Sequence, residues 1–265
     1  MNKEMNKEMN KEMNKEMNKG MNKEMNKEDK TGILVGGAPL LKTEEVLLKM
    51  IEEVRRSIKE ETAETGANDG ANSDSAIIIA ADRGIDFFVR NKIKPDIWQG
   101  DMDSTDAELR RKVEEMMPEL ETRTCSPIKD FTDTKICTDI LLEKGCRDLH
   151  IFGGVGGERA DHTLANIQLL FELAKKDVYA CLYSDTGNMF VLNGPATYEF
   201  PKKEKGDISV FALTDIARGV KIKGLFYEYE GDLKNDFALG VSNSFCGKEG
   251  SISLEEGAVL IVEKE

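Results

Sequence analysis

The sequence predicts an α/β domain, with a mostly parallel, doubly wound sheet and helices on both faces, followed by a C-terminal β-sandwich. Three observations carry this. From Thr31 to about Asp177, short apolar runs alternate with segments of helical apolar spacing, as in parallel strands joined by crossover helices. Beyond that point the runs are short, separated by turn residues, and none has the length of a helix. Residues 1–28 are seven copies of the unit MNKE, with Gly20 replacing one Glu, and stand outside the fold. The expected organisation is a low-complexity tail at 1–30, a catalytic α/β domain at 31–180 and a β-sandwich at 181–265.

The elements follow in order. TGILVGG at 31–37 is a short apolar run ending in glycines. Val46, Leu47, Met50, Ile51, Val54 and Ile58 then repeat at helical spacing, with Thr43 as a plausible cap. The polar stretch 64–75 reads as a surface loop. SAIIIAAD (75–82) is a buried strand, GIDFFVRNK a short helix, and PDIWQGD (95–101) another strand. Thr105 and Glu108 have capping-box spacing ahead of a third helix. ETRTCS is a short strand. FTDTKICTDILLEKG is a helix stopped by Gly145. DLHIFGG (148–154) is a strand, and DHTLANIQLLFELAKKD a helix.

Composition narrows the function. A net charge of −13 argues against binding nucleic acid or an anionic membrane surface, since no basic field offsets phosphate repulsion. It does not exclude a phosphate ligand held by a few local cations and a metal. The five scattered cysteines contain no CxxC pair and are expected to be reduced cytosolic thiols. No apolar run approaches the ~20 residues that span a bilayer, so a cytoplasmic enzyme is expected. Two histidines, His150 and His162, are too few for a histidine-rich zinc site.

Chemistry-bearing residues collect at strand exits, where doubly wound sheets bind ligands. Asp82, Arg83 and Gly84 follow one strand, and Asp101 and Asp103 follow the next. Two carboxylates on one tight loop can share Mg²⁺, which accepts few protein ligands and keeps water and phosphate oxygens. Lys129, Thr132 and Asp133 bring a cation, a hydroxyl and a carboxylate to a third exit. GGVGG at 153–157, between a strand and a helix, lets backbone N–H groups approach a phosphate. Its spacing is not that of a dinucleotide fingerprint. Arg159 favours an anion there, Asp161 reads equally as a helix N-cap, and His162 as an ordinary hydrogen-bonding residue.

Taken in order, these pieces resemble the thiamine pyrophosphokinase family, whose pattern runs AADGGAN, PDxxxGDFDS, K/D-x-x-TD, GGxGGRxDH and a late SNE-like turn. The matches are AADRGID (80–86), PDIWQGDMDS (95–104), KDFTD (129–133), GGVGGERADHTLAN (153–166) and GVSNSF (240–245). The departures are Arg83, Asp86, Glu158 as an extra residue, and Ser244 in place of a glutamate.

The resemblance implies an ATP-dependent pyrophosphotransferase that makes thiamine diphosphate and AMP, and a homodimer with active sites shared between subunits. By motif, Asp101, Asp103 and Asp133 would face Mg²⁺. Asp82, Gly84, Lys129, Thr132, Arg159, Asp161, His162, Thr163 and Asn166 would line the ATP and pyrophosphate region. Ser242, Asn243 and Ser244 would contact thiamine, and Tyr227 would pack on a thiamine ring or sit half-buried in a strand. Asp133 or Asp161 would accept the hydroxyl proton. A Mg-dependent phosphatase or nucleotide hydrolase, and a non-catalytic nucleotide-binding module, are the rival readings.

Overall fold

A computed structural model describes residues 29–65, 75–100, 105–124, 131–157 and 159–264. The MNKE tail, Asp101, Asp103, Lys129 and Glu158 lie outside them. The chain divides into two compact units, with the division falling between Thr186 and Gly187.

The first unit runs β1 (Lys30–Val35), α1 (Thr43–Thr65), β2 (Ala76–Ala81), a 3₁₀ turn (Asp82–Gly84), α2 (Ile85–Asn91), β3 (Ile97–Gly100), α3 (Ala107–Met116), β4 (Glu121–Thr124), α4 (Asp133–Glu143), β5 (Cys146–Phe152), α5 (Ala160–Lys175) and β6 (Tyr179–Leu182). Its strands are ordered β6-β5-β1-β2-β3-β4. Every pairing among them is parallel. The chain first steps outward from β1 to β4, then returns to the other side of β1. Right-handed crossovers in the two directions place helices on opposite faces. The reversal of direction puts a topological switch point between β1 and β5.

Burial follows the sequence pattern. In α1, Leu47, Met50 and Ile51 are buried, the apolar stripe turned to the sheet. β1, β2, β3 and β5 are buried along most of their length, while the edge strand β4 is largely exposed. Three local details differ from expectation. The cap of α3 is Asp106, whose carboxylate accepts from Leu109 N at 2.7 Å, and not Thr105, whose side chain is buried. Aspartate is as good an N-cap acceptor as threonine or better. Asp161 is not the cap of α5 either: it sits in the first turn, and Arg159 occupies the cap position. Thr43 opens α1 as its first residue, held from outside by Asp185.

The second unit holds β7 (Asn188–Asn193), β8 (Ala196–Lys203), β9 (Asp207–Ala212), β10 (Ile216–Lys223), β11 (Tyr229–Lys234), β12 (Gly240–Ser244), β13 (Lys248–Leu254) and β14 (Ala258–Lys264). These pair antiparallel as β12-β9-β14-β7 and β11-β10-β13-β8. Phe190, Tyr198, Phe200 and Phe245 form a chain of ring contacts with centroids 4.5–5.5 Å apart, packing one sheet on the other. The unit is the β-sandwich that the turn-punctuated sequence predicts. The four described cysteines, Cys137, Cys146, Cys181 and Cys246, are free. No helix among the described residues is long and apolar enough to cross a membrane.

Candidate active site

The switch point is built from two glycine turns. After β1 the chain turns through Gly36 and Gly37, and after β5 through Gly153 and Gly154. Gly36 N donates to Phe152 O at 2.8 Å and Ala38 N to Gly153 O at 3.0 Å. The backbones touch where they cross. A Cβ on Gly36 would lie 2.6 Å from Gly153 O, and one on Gly153 would lie 2.4 Å from Gly36 O. Gly153 also has φ +65°, a conformation that costs other residues strain. The Gly36–Gly37 turn was missed as a site element by sequence reasoning, although the glycine pair ending the first strand was its visible signal.

Asn166, 4% exposed on α5, donates Nδ2 to Gly154 O at 2.7 Å. Its visible work is to brace the turn from beneath. Beyond it, Arg159 and Asp161 form a two-pronged ion pair, with Nε to Oδ1 at 2.9 Å and Nη2 to Oδ2 at 2.7 Å. The Arg159 guanidinium holds the Asp161 carboxyl down to about 2, and the same contact raises Arg159. His162 is exposed and Thr163 half-buried in the first turn of α5; their backbone N–H groups bond Arg159 O.

The adjacent strand exits carry the carboxylates. Asp82 adopts φ +47° directly after β2, and its carbonyl accepts from Trp98 Nε1 at 3.0 Å. Its carboxylate lies over the end of β3: a Cβ on Gly100 would come within 2.2 Å of Asp82 Oδ1. Asp82 therefore stands beside the residue that leads into Asp101. Gly84 packs end-on against β1, where a Cβ would fall 1.9 Å from Val35 O. At the β4 exit, Thr132 caps α4 by accepting from Lys135 N at 3.2 Å, and Asp133 is its first-turn acid. Among the described residues, no group of three or more His, Cys, Asp or Glu closes around a metal position.

Asp185, just past β6, accepts from Thr43 N at 2.9 Å, Thr43 Oγ1 at 3.0 Å and Leu41 N at 3.1 Å. No motif marked it. Burial opposes its charge, but the bonds from Thr43, Leu41 and Lys42 together outweigh that and hold its carboxyl below the usual range. A depressed carboxylate contributes stability that is complete above the unfolded value, near 4, and lost as pH falls through the folded one. The stability gap between wild type and Asp185→Asn, measured by urea unfolding, should therefore be wide at pH 7 and narrow towards pH 3. A gap of constant size would show that the charge is not the source.

In the second unit, Asn243 is 6% exposed and clamps the neighbouring turn. Its Oδ1 accepts from Tyr227 N and Ser244 N, both at 2.9 Å, and its Nδ2 donates to Tyr227 O at 2.7 Å. Tyr227 lies in the turn before β11, 65% exposed, and not half-buried in a strand. Ser242 is exposed at φ +61° and Ser244 Oγ donates to Asp207 at 3.3 Å. Tyr227 and the Ser242–Ser244 segment are thus brought together, with Asn243 as the tie.

Crossed glycine turns at the switch point of a doubly wound domain, with carboxylates on the neighbouring exits, have the form of the ligand crevice of this fold class. Residues 69–182 match the model of the family described as thiamin pyrophosphokinase, catalytic domain. A curated thiamine pyrophosphokinase from Bacillus subtilis is 29% identical over 195 residues, covering 73% of this chain and 89% of that protein. The crystal structure of thiamine pyrophosphokinase from Bacillus subtilis superposes with a TM-score of 0.70 at 26% identity, covering 89% of this chain and 99% of that one. Yeast thiamin pyrophosphokinase shares the fold, at a TM-score of 0.65 and 14% identity over 91% of this chain and 88% of that chain. The chain is thus similar to thiamin pyrophosphokinases by sequence over its central segment and by fold over most of its length.

Proposed function

We propose that this protein transfers the pyrophosphoryl group of ATP to the hydroxyl of thiamine, giving thiamine diphosphate and AMP. The observation that carries the reading is the crossing of the two glycine turns, with Asp82 at the exit of the neighbouring strand, in a chain whose residues 69–182 match the family model. Asp101, Asp103 and Asp133 would hold Mg²⁺, and the oxygen donors on these exits fit that hard cation. Mg²⁺ would supply positive charge against the polyphosphate.

The chain's own groups do the rest. Backbone N–H groups of the glycine turn and the Arg159 and Lys129 side chains bind the phosphates. The thiamine hydroxyl oxygen bonds to the β-phosphorus as the bond from that phosphorus to the α–β bridging oxygen breaks, and AMP leaves with that oxygen. The hydroxyl proton passes to a carboxylate. That carboxylate is Asp133 or Asp161. Tyr227 and Ser242–Ser244 contact thiamine. The exposed Phe226, Tyr227, Phe237, Leu239 and Val241 of the β-sandwich support a homodimer, since so much apolar surface favours a partner. A cytoplasmic location accords with the free cysteines.

Purified protein incubated with ATP, Mg²⁺ and thiamine should yield thiamine diphosphate and AMP by mass spectrometry. Release of phosphate independent of thiamine would identify a hydrolase instead. ADP with thiamine monophosphate would refute pyrophosphoryl transfer.

A further inference from the structure

We infer that Asp185 is a positioning residue for the nucleotide, acting through the β1–α1 loop on the glycine turns; this rests on the proposed reaction. Asp185 lies 142–144 residues from its partners in sequence, on the far side of β5 from the loop it holds. The other described caps of this kind are local: Asp106 caps its own helix α3, and Thr132 its own helix α4. The α1 start is instead fixed by a carboxylate from another strand exit.

What that carboxylate fixes is short and taut. Four residues separate Gly36 from Leu41, whose N–H it accepts, and the same stretch includes Ala38, bonded to Gly153 O. Pro39 stiffens it, and Pro39 Cδ would lie 3.8 Å from a Cβ on Gly157. One end of the segment is thus pinned to β5 by two backbone bonds, and the other end by three bonds to Asp185. Between the pins the segment forms a wall of the Gly153–Gly157 turn. Releasing the Asp185 end frees that wall without touching any group that meets the substrates. The glycine turn then presents its N–H groups in more than one arrangement, and the affinity for phosphate falls.

A merely structural role would lower stability and leave substrate affinities alone. Positioning predicts a split. In the full-length protein, Asp185→Ala should weaken Mg-ATP binding by about tenfold, while turnover at saturating ATP changes by less than about threefold and thiamine KM stays constant. Asp185→Asn, which keeps one acceptor oxygen, should fall between wild type and Asp185→Ala. Thr43→Ala, which deletes only the hydroxyl bond, should weaken ATP binding by about twofold and serves if the Asp185 variants do not fold. Titration calorimetry with Mg-ATP reads affinity without requiring turnover. Unchanged ATP affinity in folded Asp185→Ala, or in Thr43→Ala if the former is unfolded, overturns the inference. Failure of the wild type to make thiamine diphosphate would instead remove the parent reading, a separate measurement on a separate protein.

Discussion

Asp101→Asn and Asp103→Asn should each lower turnover by roughly 10²-fold or more, the scale of losing one preorganised electrostatic contact. Both residues follow Gly100, where β3 ends against the Asp82 carboxylate. On the proposed reaction the two would share Mg²⁺, and removing one charge would weaken its binding and, with it, the neutralisation of the transferred group. Asparagine keeps the size and one acceptor oxygen, so melting temperature should change little. Raising Mg²⁺ should restore part of the lost rate. The control is Asp106→Asn. Asp106 Oδ1 caps α3, and asparagine caps as well as aspartate, so both stability and turnover should stay near wild type. Near-normal turnover in both loop variants at limiting Mg²⁺ would remove Asp101 and Asp103 from the reaction.

Gly84→Ala should destabilise the first unit by about 3 kcal/mol, the upper range for overpacking a rigid site. The backbone angle is not the obstacle, since the residue sits at φ −56° and ψ −21°, where alanine is at home. The obstacle is the 1.9 Å approach to Val35 O, an atom of the central strand that cannot rotate away. Relief must come from the 3₁₀ turn, and moving it shifts Asp82 as well. Urea unfolding should give the loss of stability, and turnover should fall beyond what the unfolded fraction accounts for. A stable, fully active Gly84→Ala protein would mean that the turn has slack the packing does not indicate.

The fold was legible because its signals are periodic. Leu47, Met50 and Ile51 fall at helical spacing and are buried on one face, and the buried run from Ile78 to Ala81 reads directly as an interior strand. Thr105 and Asp106 show where the reading failed: both residue types cap helices, and one step of register decides between them. The site was legible where residues cluster in sequence, as at 153–166. It was not legible where partners are distant. Nothing near Asp185 announces Thr43, and nothing in SNS announces that the Asn243 amide bonds the Tyr227 backbone.

The reciprocal contact of Gly36 and Gly153 bears on how this site can change over time. Each residue is barred from a side chain by the other's carbonyl oxygen, a backbone atom that every amino acid carries. Ordinary pairwise rescue is therefore closed: no substitution at position 153 makes room at position 36, and none at 36 makes room at 153. Drift is steered into changes of loop length past the crossing, since even Gly156, where a Cβ would meet nothing within 4 Å, holds φ +92°. Glu158, the extra residue of the motif, follows Gly157 directly in the sequence.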